Sequence, residues 1–412
     1  MECFKKMYKP HIVILGAGYS GLMTATKLQK LLRRNEADIT LVNKHDYHYQ
    51  TTWLHETAVG SLKPERTMIP IRDIINQDKI NFVIDEVTMI DEKNKKVKLL
   101  NQELSYDILV VGLGFEAEAI TNPNLNENIF PIGNLNNARV LREHLEYNFA
   151  KYANEEEKNA ARINIVIAGG GFTGIEYAGE LADRIPELGS EYDVERTQVR
   201  IIIVECESTI LPGCKQEFVN YAMNSLESRG VEFIMDAKIV ESKQDRVVYE
   251  KEGKRVEIPA KTIVWTAGVR GNSLLEKSSI PTVNGKVEVK SDLRVPGYDD
   301  VYILGDCALI TNPETGRPYP ANAETAIASA GIAARNIKAQ INKKALLHFR
   351  SRKKAIIASL GSSDGVAISL NGRQHFGWRA TIMKKLSLNR YLLQLGGIHL
   401  LMKRGRFNFF HM

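Results

Sequence analysis

Two short segments of this 412-residue chain carry glycines at spacings that suit a phosphate-binding turn. A dinucleotide turn needs one glycine for the tight bend, one that lets the backbone approach the pyrophosphate, and one for close packing of helix on strand. One such segment alone is often only a structural turn, but two in the same context predict two dinucleotide sites. The residues concerned are Gly16, Ala17, Gly18 and Gly21 in the first segment, and Gly169, Gly171 and Gly174 in the second.

The elements around both glycine segments follow one order: apolar strand, glycine turn, helix, second strand. The N–H groups that open each helix would face the phosphates. Because this order recurs about 150 residues along the chain, the sequence predicts an α/β fold with two Rossmann-type domains. The predicted strands are 11–15, 38–42, 163–168 and 199–204, and the predicted helices are 22–34 and a segment from 175 onward.

The residue that ends the second strand differs between the two units. Glu205 can accept hydrogen bonds from both ribose hydroxyls and would repel a 2′-phosphate, so its unit should prefer NADH to NADPH. A solvated acid at a strand end is the plain alternative. Asn43 occupies the matching place in the first unit without a charge, and spacing alone leaves the ligand of that site open.

Further buried strands end at glycine or at an acid. Residues 107–114 contain Gly112 and residues 262–268 end in Gly268, so each unit closes in a similar way. The strand at 301–306 ends in Asp306, at the edge where ligands bind in open α/β sheets. Residues 43–53 are predicted to be loop, and a helix is predicted from about residue 136.

Composition and cysteine spacing exclude several classes of protein. An apolar fraction of 44% and a charged fraction of 25% are ordinary for a soluble globular protein. The four cysteines show no metal-ligand or dithiol spacing, so we expect no metal site, no disulfide framework and a reducing compartment. No apolar run is long enough to span a bilayer.

The C-terminal part of the chain is strongly basic. Residues 336–412 carry fifteen Lys and Arg and one acid, Asp364, which suggests a polyanionic surface as partner.

Several motifs together resemble the type II NADH dehydrogenases, which are single-subunit, non-proton-pumping NADH:quinone oxidoreductases of the two-dinucleotide-binding flavoprotein superfamily. The resemblance extends from about His11 to Phe410. It implies FAD and NADH as cofactors and hydride transfer from the second to the first. The motifs are Gly16-Ala-Gly-Tyr-Ser-Gly21, Asn43-Lys44, Tyr47-His-Tyr49, Thr52-Trp-Leu-His-Glu56, Gly170-Gly-Phe-Thr-Gly-Ile-Glu176, Gly179-Glu-Leu181, Ala267-Gly-Val-Arg270 and Gly305-Asp306.

The resemblance also implies roles for individual residues. The first glycine turn would hold the FAD pyrophosphate, and the glutamate matching Glu176 would lie beside the flavin and nicotinamide, where it could relay a proton. A first-turn glutamate favoured by the helix dipole is the alternative for Glu176. Lys384 would lie near the quinone. The remaining implied contacts with FAD are Asn43 and Lys44 at the adenosine half, Asp306 at the ribityl chain, and Thr52 and the helix from Ala323 beside the isoalloxazine.

The chain departs from the family pattern at the predicted acceptor site. Where the family has two glutamines that border the quinone head group, this chain has Glu324 and Ala328. An ionised carboxylate cannot donate to a quinone carbonyl, and alanine has no polar group. The predicted acceptor is a membrane quinone, menaquinone or ubiquinone. The alternatives are a non-quinone acceptor and a membrane-recruited NADH sensor with weak turnover.

The C-terminal segment 378–410 mixes apolar and basic residues and has no acid. Such basic amphipathic segments lie on anionic membranes, which predicts peripheral attachment at the cytoplasmic face of the cell membrane. The alternative is that residues 393–402 pack on the flavin domain. Nucleic acid is not expected, because the aromatic residues cluster with aliphatic ones rather than form a stacking surface. A homodimer is compatible with this assignment.

These inferences divide the chain by function. We predict an FAD-binding domain at 1–125 and 276–340, an NADH-binding domain at 126–275, and a membrane-associating region at 341–412. A disulfide reductase or a sulfide:quinone oxidoreductase would need a cysteine pair facing the flavin, and no such pair is evident among Cys206, Cys214 and Cys307.

Overall fold

The computed structural model describes residues 8–117, 123–125, 127–351 and 355–408. Its α-helices within those ranges are α1 Tyr19–Leu31, α2 Leu54–Val59, α3 Pro64–Thr67, α4 Leu135–Asn154, α5 Phe172–Tyr192, α6 Gln216–Glu227, α7 Ser273–Glu276, α8 Ala323–Ile341 and α9 Trp378–Arg404.

The strands are shorter and more numerous than the helices. They are β1 His11–Leu15, β2 Asp38–Asn43, β3 Tyr47–Tyr49, β4 Met68–Pro70, β5 Ile80–Ile84, β6 Val87–Asp91, β7 Lys96–Leu99, β8 Glu103–Ser105, β9 Ile108–Val111, β10 Glu116–Ala117, β11 Ile129–Pro131, β12 Asn164–Ala168, β13 Arg200–Val204, β14 Val231–Ile234, β15 Ala237–Ser242, β16 Arg246–Lys251, β17 Lys254–Pro259, β18 Thr262–Trp265, β19 Val269–Arg270, β20 Val287–Val289, β21 Val301–Ile303, β22 Ala308–Ile310, β23 Ile356–Ser359, β24 Gly365–Ile368 and β25 Gln374–Phe376.

The chain divides into two compact units. The first contains the described residues of 1–50, 68–116 and 270–352, and the second those of 51–67, 117–269 and 353–412. The predicted domains divide the chain by the nucleotide that each part would bind, and they remain a proposal. The compact units divide it by packing instead, and they place residues 51–67 and the C-terminal segment with the second parallel sheet.

The first unit is built on a parallel sheet of strand order β21-β9-β1-β2-β5. Strand β1 lies in the middle of this sheet, paired with β2 on one side and β9 on the other. Its residues 12–15 have no exposed surface, because both faces of a parallel sheet are covered. Helix α8 packs on α1, and an antiparallel sheet β6-β7-β8 completes the unit.

The second unit repeats this plan with the order β11-β18-β12-β13-β14, again all parallel. A buried cluster beneath this sheet joins it to the antiparallel strands β15, β16 and β17. Two parallel sheets of the same kind confirm the predicted α/β fold with two Rossmann-type domains. In both sheets the glycine turn follows the central strand, so the carboxyl ends of the strands lie beside it.

The structure corrects the predicted boundaries of both helices after the glycine turns. Helix α1 begins at Tyr19 rather than at residue 22, and α5 begins at Phe172 rather than at 175. In both cases the helix starts immediately after the second glycine, Gly18 or Gly171, in the N-cap position. The third glycine of each turn is therefore helical, which the apolar pattern did not reveal.

The segment predicted as loop at 43–53 is partly regular. Tyr47–Tyr49 forms strand β3, which pairs with Met68–Pro70, and Thr51–Trp53 forms a 3₁₀ turn that leads into α2. The prediction was wrong here because the partner strand lies about twenty residues further along the chain, and such non-local pairing leaves no local periodicity.

The C-terminal segment forms a three-stranded antiparallel sheet, β23-β24-β25, followed by the long helix α9. Helix α9 packs on these strands. It is interrupted at Gly397, whose φ of +70° is not helical. No helix within the described ranges is long and apolar enough to cross a membrane.

Candidate functional site

The first glycine turn is closed by backbone contacts that leave no space for side chains. Gly16 has a φ of +88° and donates to the Val42 carbonyl at 2.8 Å. A Cβ at Gly16 would lie 2.5 Å from the Gly112 carbonyl oxygen, and one at Gly21 only 1.8 Å from the Gly16 oxygen. Gly16 and Gly21 are thus required by the backbone, since bulk at these positions would open the turn, whereas a Cβ at Gly18 would meet its nearest atom only at 4.0 Å.

The second turn has the same construction. Gly169 has a φ of +106° and donates to the Val204 carbonyl at 2.9 Å. A Cβ at Gly174 would lie 2.0 Å from the Gly169 oxygen, whereas one at Gly171 would meet no atom within 4 Å. The open space at Gly171 lies at the N-terminus of α5, where a pyrophosphate can approach the backbone. Gly268, with a φ of +64°, lies beyond strand β18 in the same unit.

The side chain that ends the second strand binds back to its own turn in both units. The Ala17 N–H donates to Asn43 Oδ1 at 2.8 Å, and the Gly170 N–H donates to Glu205 Oε2 at 2.6 Å. Glu205 Oε1 also accepts from the N–H of Glu207 at 3.0 Å and from Cys206 Sγ at 3.1 Å. These bonds hold both side chains at the turn. Glu205 Oε2 accepts only from Gly170 among the described residues and has a second lone pair, so it can still accept from a ribose hydroxyl.

Asp306 is suited to a polar ligand in the first unit. It follows strand β21, and burial raises the pKa of its carboxyl. Its buried Oδ1 has no hydrogen-bond partner in the part of the chain that the structure describes. Buried polar atoms are almost always satisfied, so an orphaned acid beside a phosphate-binding turn fits a sugar or ribityl hydroxyl. The first unit therefore has residues that fit FAD.

The other predicted flavin contacts have different settings. Lys44 is exposed and lies 3.3 Å from Glu86. Ala323 is the first residue of α8, whose N-terminus is capped by the Asn322 side chain accepting from Thr325 N–H at 2.9 Å. Glu324 lies in the first turn of that helix, and Ala328 lies one turn further. Thr52 belongs to the second unit, in the 3₁₀ turn before α2.

Glu176 and Lys384, predicted separately, form a largely shielded ion pair in the second unit. Lys384 Nζ lies 2.6 Å from Glu176 Oε1 and 2.7 Å from Ser359 Oγ. The Ser359 N–H also donates to Glu176 Oε1, at 3.1 Å. Only 12–13% of either charged side chain is exposed. Helix α5, strand β23 and helix α9 each supply one residue, so the pair exists only when the C-terminal sheet packs on α5.

More charged residues surround this pair than the sequence analysis identified. His55 Nδ1 lies 3.9 Å from Glu176 Oε2, and Glu56 forms a two-pronged ion pair with Arg406 at 2.7 and 2.6 Å. Ser61 Oγ donates to the buried carboxyl of Glu180. Burial raises the pKa of Glu180 to about 7, with a further contribution from the nearby charge of Glu56. His55 and Glu56 lie in one of the motifs that carry the family resemblance. Their spacing in the sequence did not indicate that they would lie near Glu176 and Arg406.

Some basic residues of helix α9 and of the segment after it contact other parts of the second unit. Lys384 pairs with Glu176, Lys385 donates to the Asn408 carbonyl, and Arg406, two residues beyond the helix, pairs with Glu56. These acceptors offset the cost of removing the cations from water. Arg379, Arg390 and Lys403 remain exposed.

The fold and the two turns define a class of protein. The sequence profile of the pyridine nucleotide-disulphide oxidoreductases matches residues 10–330. Type II NADH:quinone oxidoreductases from Staphylococcus saprophyticus and Staphylococcus aureus are each 41% identical to this chain over 396 residues, covering 96% of this chain and 98% of theirs. The chain is a pyridine nucleotide-disulphide oxidoreductase by family and, within that group, belongs to the type II NADH:quinone oxidoreductases. This confirms the predicted resemblance. Cys206, Cys214 and Cys307 are free thiols.

Solved structures share the same fold. NDH2 from Plasmodium falciparum in complex with NADH superposes with a TM-score of 0.85 at 16% identity, covering 96% of this chain and 97% of that one. The sulfide:quinone oxidoreductase from Aquifex aeolicus gives 0.77 at 20% identity, covering 93% and 90%. At such identities the likeness concerns the fold alone.

Proposed function

We propose that the chain is an FAD-dependent NADH dehydrogenase that catalyses NADH + H⁺ + quinone → NAD⁺ + quinol without pumping protons. The observation that carries this function is the duplicated turn, closed by Asn43 in one unit and by Glu205 in the other. FAD, when bound, accepts hydride and passes two electrons on. The protein residues position the two dinucleotides and hold the protons.

The first unit provides the FAD site. Its turn, with Gly16 and Gly21, brings backbone N–H groups to the pyrophosphate, and Asn43 stays at the turn to meet the adenosine half. Asp306 accepts from the ribityl chain, which gives its buried oxygen the partner that it needs. Lys44, next to Asn43 in the chain, would also meet the adenosine half. The N-terminus of α8, at Ala323, would border the isoalloxazine.

The second unit provides the NADH site. Gly171 leaves open space at the helix N-terminus for the pyrophosphate. Glu205 is ready to accept from the ribose hydroxyls, and its charge repels a 2′-phosphate. The enzyme therefore uses NADH in preference to NADPH.

Glu176 and Lys384 form the polar pair nearest to the chemistry. Lys384 donates to Glu176 and to Ser359 at once, so the carboxylate is oriented from two sides. A carboxylate held in this way can take up and release a proton during reduction of the acceptor. Lys384 neutralises it between those events.

The acceptor site uses Glu324 and Ala328 where relatives of the family have glutamines. Restoring both amides with Glu324→Gln and Ala328→Gln should raise quinone reduction severalfold, because an amide can donate to a quinone carbonyl. Steady-state rates with a menaquinone and a ubiquinone analogue measure this. An unchanged rate would remove Glu324 and Ala328 from the acceptor site.

Membrane attachment is proposed through the exposed face of α9. Trp378, Leu386 and Leu393 are all about half exposed and recur at seven- to eight-residue spacing, which places them on one face of the helix. Arg390 and Lys403 are exposed basic residues on the same helix. This arrangement suits the surface of an anionic membrane on its cytoplasmic face. Sedimentation with phosphatidylglycerol vesicles, compared with phosphatidylcholine vesicles, tests the attachment.

We also predict a homodimer. Measuring the molecular mass of the solubilised protein would test this prediction.

The function as a whole is tested by the visible spectrum of the purified protein. Anaerobic NADH should bleach a flavin band, and a quinone analogue should restore it. Bleaching without recovery would leave an NADH dehydrogenase with another acceptor or a sensor with weak turnover, and the absence of a flavin band would overturn the proposal.

A further inference from the structure

His55 lies between two carboxylates in the interior of the second unit. It is the second residue of α2 and only 3% exposed. Its Nδ1 lies 3.9 Å from Glu176 Oε2, and its Nε2 lies 3.9 Å from Glu56 Oε1. Each ring nitrogen therefore faces a different acid, and the imidazole bridges the gap between them.

The environment of His55 is unusual for a buried histidine. Its Nε2 has no hydrogen-bond partner among residues 8–117, 123–125, 127–351 and 355–408. Two other histidines each have a ring nitrogen at hydrogen-bond distance from a carbonyl oxygen: His48 Nδ1 lies 2.9 Å from Ala17 O, and His144 Nε2 lies 2.8 Å from Lys261 O. A buried nitrogen without a hydrogen bond destabilises the fold. Its position beside two acids therefore points to a role in which hydrogen bonds form transiently.

Both acids are held in place by cations from the C-terminal part of the chain. Glu176 is held by Lys384, and Glu56 by both guanidinium nitrogens of Arg406. Arg406 is more exposed than either acid, and the next residue, Phe407, is about half exposed. The residues thus form a row from Arg406, whose side chain is 22% exposed, through Glu56 and His55 to Glu176.

We infer that His55 relays a proton from Glu56 to Glu176 during reduction of the acceptor. This inference rests on the proposed function, whose net reaction takes one proton from solvent. Glu56 takes a proton from solvent and passes it to His55 Nε2 while His55 Nδ1 releases its proton to Glu176 Oε2, so the ring stays neutral overall. The starting tautomer returns when Nε2 gives its proton to water and Nδ1 takes one from water, an exchange that moves no net charge.

The geometry and charge of the ring suit this step. Each nitrogen is roughly 1 Å beyond hydrogen-bond distance from its acid, a gap that catalytic contacts commonly close when substrate binds. Burial lowers the pKa of His55 well below its usual range, and the charges of Lys384 and Arg406 act in the same direction. A neutral imidazole has one donor and one acceptor nitrogen, which is the state a relay needs.

The decisive variant is His55→Gln, whose amide fills a similar volume but does not tautomerise readily. Reoxidation of the reduced enzyme by quinone should slow on the order of tenfold, less than loss of a direct acid catalyst because water can partly replace the ring. The solvent deuterium isotope effect on this step should increase. Reduction of ferricyanide, which takes electrons and no protons, should change less than twofold. His144→Gln, which alters a histidine of the same unit away from these acids, is the matched control and should change neither rate.

A second variant separates relay from packing. His55→Gly should be slow with quinone, and added imidazole should restore part of the rate without changing ferricyanide reduction. Equal loss of both activities with loss of flavin would assign His55 a structural role, and an unchanged quinone rate would also overturn the relay. If the unmodified chain reduces ferricyanide but not quinone, the proposed function is wrong about the acceptor. The relay, which serves quinone reduction, is then overturned as well.

Discussion

The two glycine turns of this protein have almost the same backbone but differ in the side chains placed around them. In both, the first glycine takes a left-handed φ and the third leaves no room for a Cβ. The second N–H of each turn is bound by the side chain at the end of the second strand. That side chain is neutral Asn43 in one unit and charged Glu205 in the other. The backbone construction of the turns is thus shared, and the side chain at the strand end is the difference between them; under the proposed function the backbone meets the pyrophosphate and that side chain distinguishes the sugars.

The helices after the two turns differ more strongly. Counting from the first glycine of each turn, Glu176 and Glu180 of α5 stand where α1 has Met23 and Lys27. Met23 is completely buried among apolar residues, whereas Glu176 meets Lys384 and Glu180 meets Ser61. The first unit therefore has an apolar residue and a lysine at the two positions where the second unit has two carboxylates. Under the proposed function both units bind a dinucleotide, and only the second adds these acids.

The largest effect is expected at the third glycine of each turn. Gly21→Ala should abolish flavin binding, because its Cβ would lie 1.8 Å from a backbone oxygen that cannot move without opening the turn. Gly174→Ala should keep the flavin and lose bleaching by NADH for the same reason. Flavin absorbance and anaerobic NADH titration report the two effects. Gly331→Ala, at a helical glycine with open space around it, is the control. Loss of flavin from Gly174→Ala would contradict the independence of the two sites.

A smaller but still large effect is expected at Glu176. Glu176→Gln keeps the shape and removes the proton-carrying group, so quinone turnover should fall roughly 10²-fold while FAD stays bound. The equivalent change in the first helix, Met23→Leu, conserves volume and should affect turnover little. Stopped-flow reoxidation of the reduced enzyme measures the difference. Release of flavin by the Glu176 variant would give this residue a structural role instead.

Glu205→Gln should change cofactor choice by about tenfold, the value of one hydrogen bond to a charged group. Its amide oxygen can still accept from the Gly170 N–H, so the glycine turn should persist, although the bond from the Glu207 N–H is lost. KM for NADH should rise and KM for NADPH should fall, because the repulsion of the 2′-phosphate is gone. Glu207→Gln removes the same charge from an exposed neighbour and serves as the control. An unchanged ratio of the two KM values would mean that Glu205 serves only the turn.

The smallest effect is expected in the pH dependence of stability at Glu180. Burial raises its pKa to about 7 in the folded chain, so the folded state keeps a proton that the unfolded state releases above its ordinary pKa. This contribution is complete at low pH and is lost as the pH rises towards 7, by at most about 1.4 kcal/mol per pH unit. Thermal unfolding of Glu180→Gln should lack this slope. Glu187→Gln, an exposed carboxylate of the same helix, should retain it.

Part of the candidate site was predictable because its requirements are local. The glycines, the strands around them, and the residues Asn43 and Glu205 at the strand ends all lie within one β-α-β unit. Their spacing is imposed by backbone sterics, which act between near neighbours in sequence. Strand β3 was missed for the opposite reason, since its partner β4 lies outside the local pattern.

The sequence by itself determined the two parallel sheets, both glycine turns and the carboxylate of Glu205 beside the second turn, because each depends on residues within one β-α-β unit. Only the tertiary structure decided that Lys384 meets Glu176 across 208 positions, and that Arg406 holds Glu56 across 350. It also placed the neutral ring of His55 between those two acids. Packing of the C-terminal sheet and α9 brings these charges into a water-poor interior, where a cation, a carboxylate and an imidazole act on one another strongly.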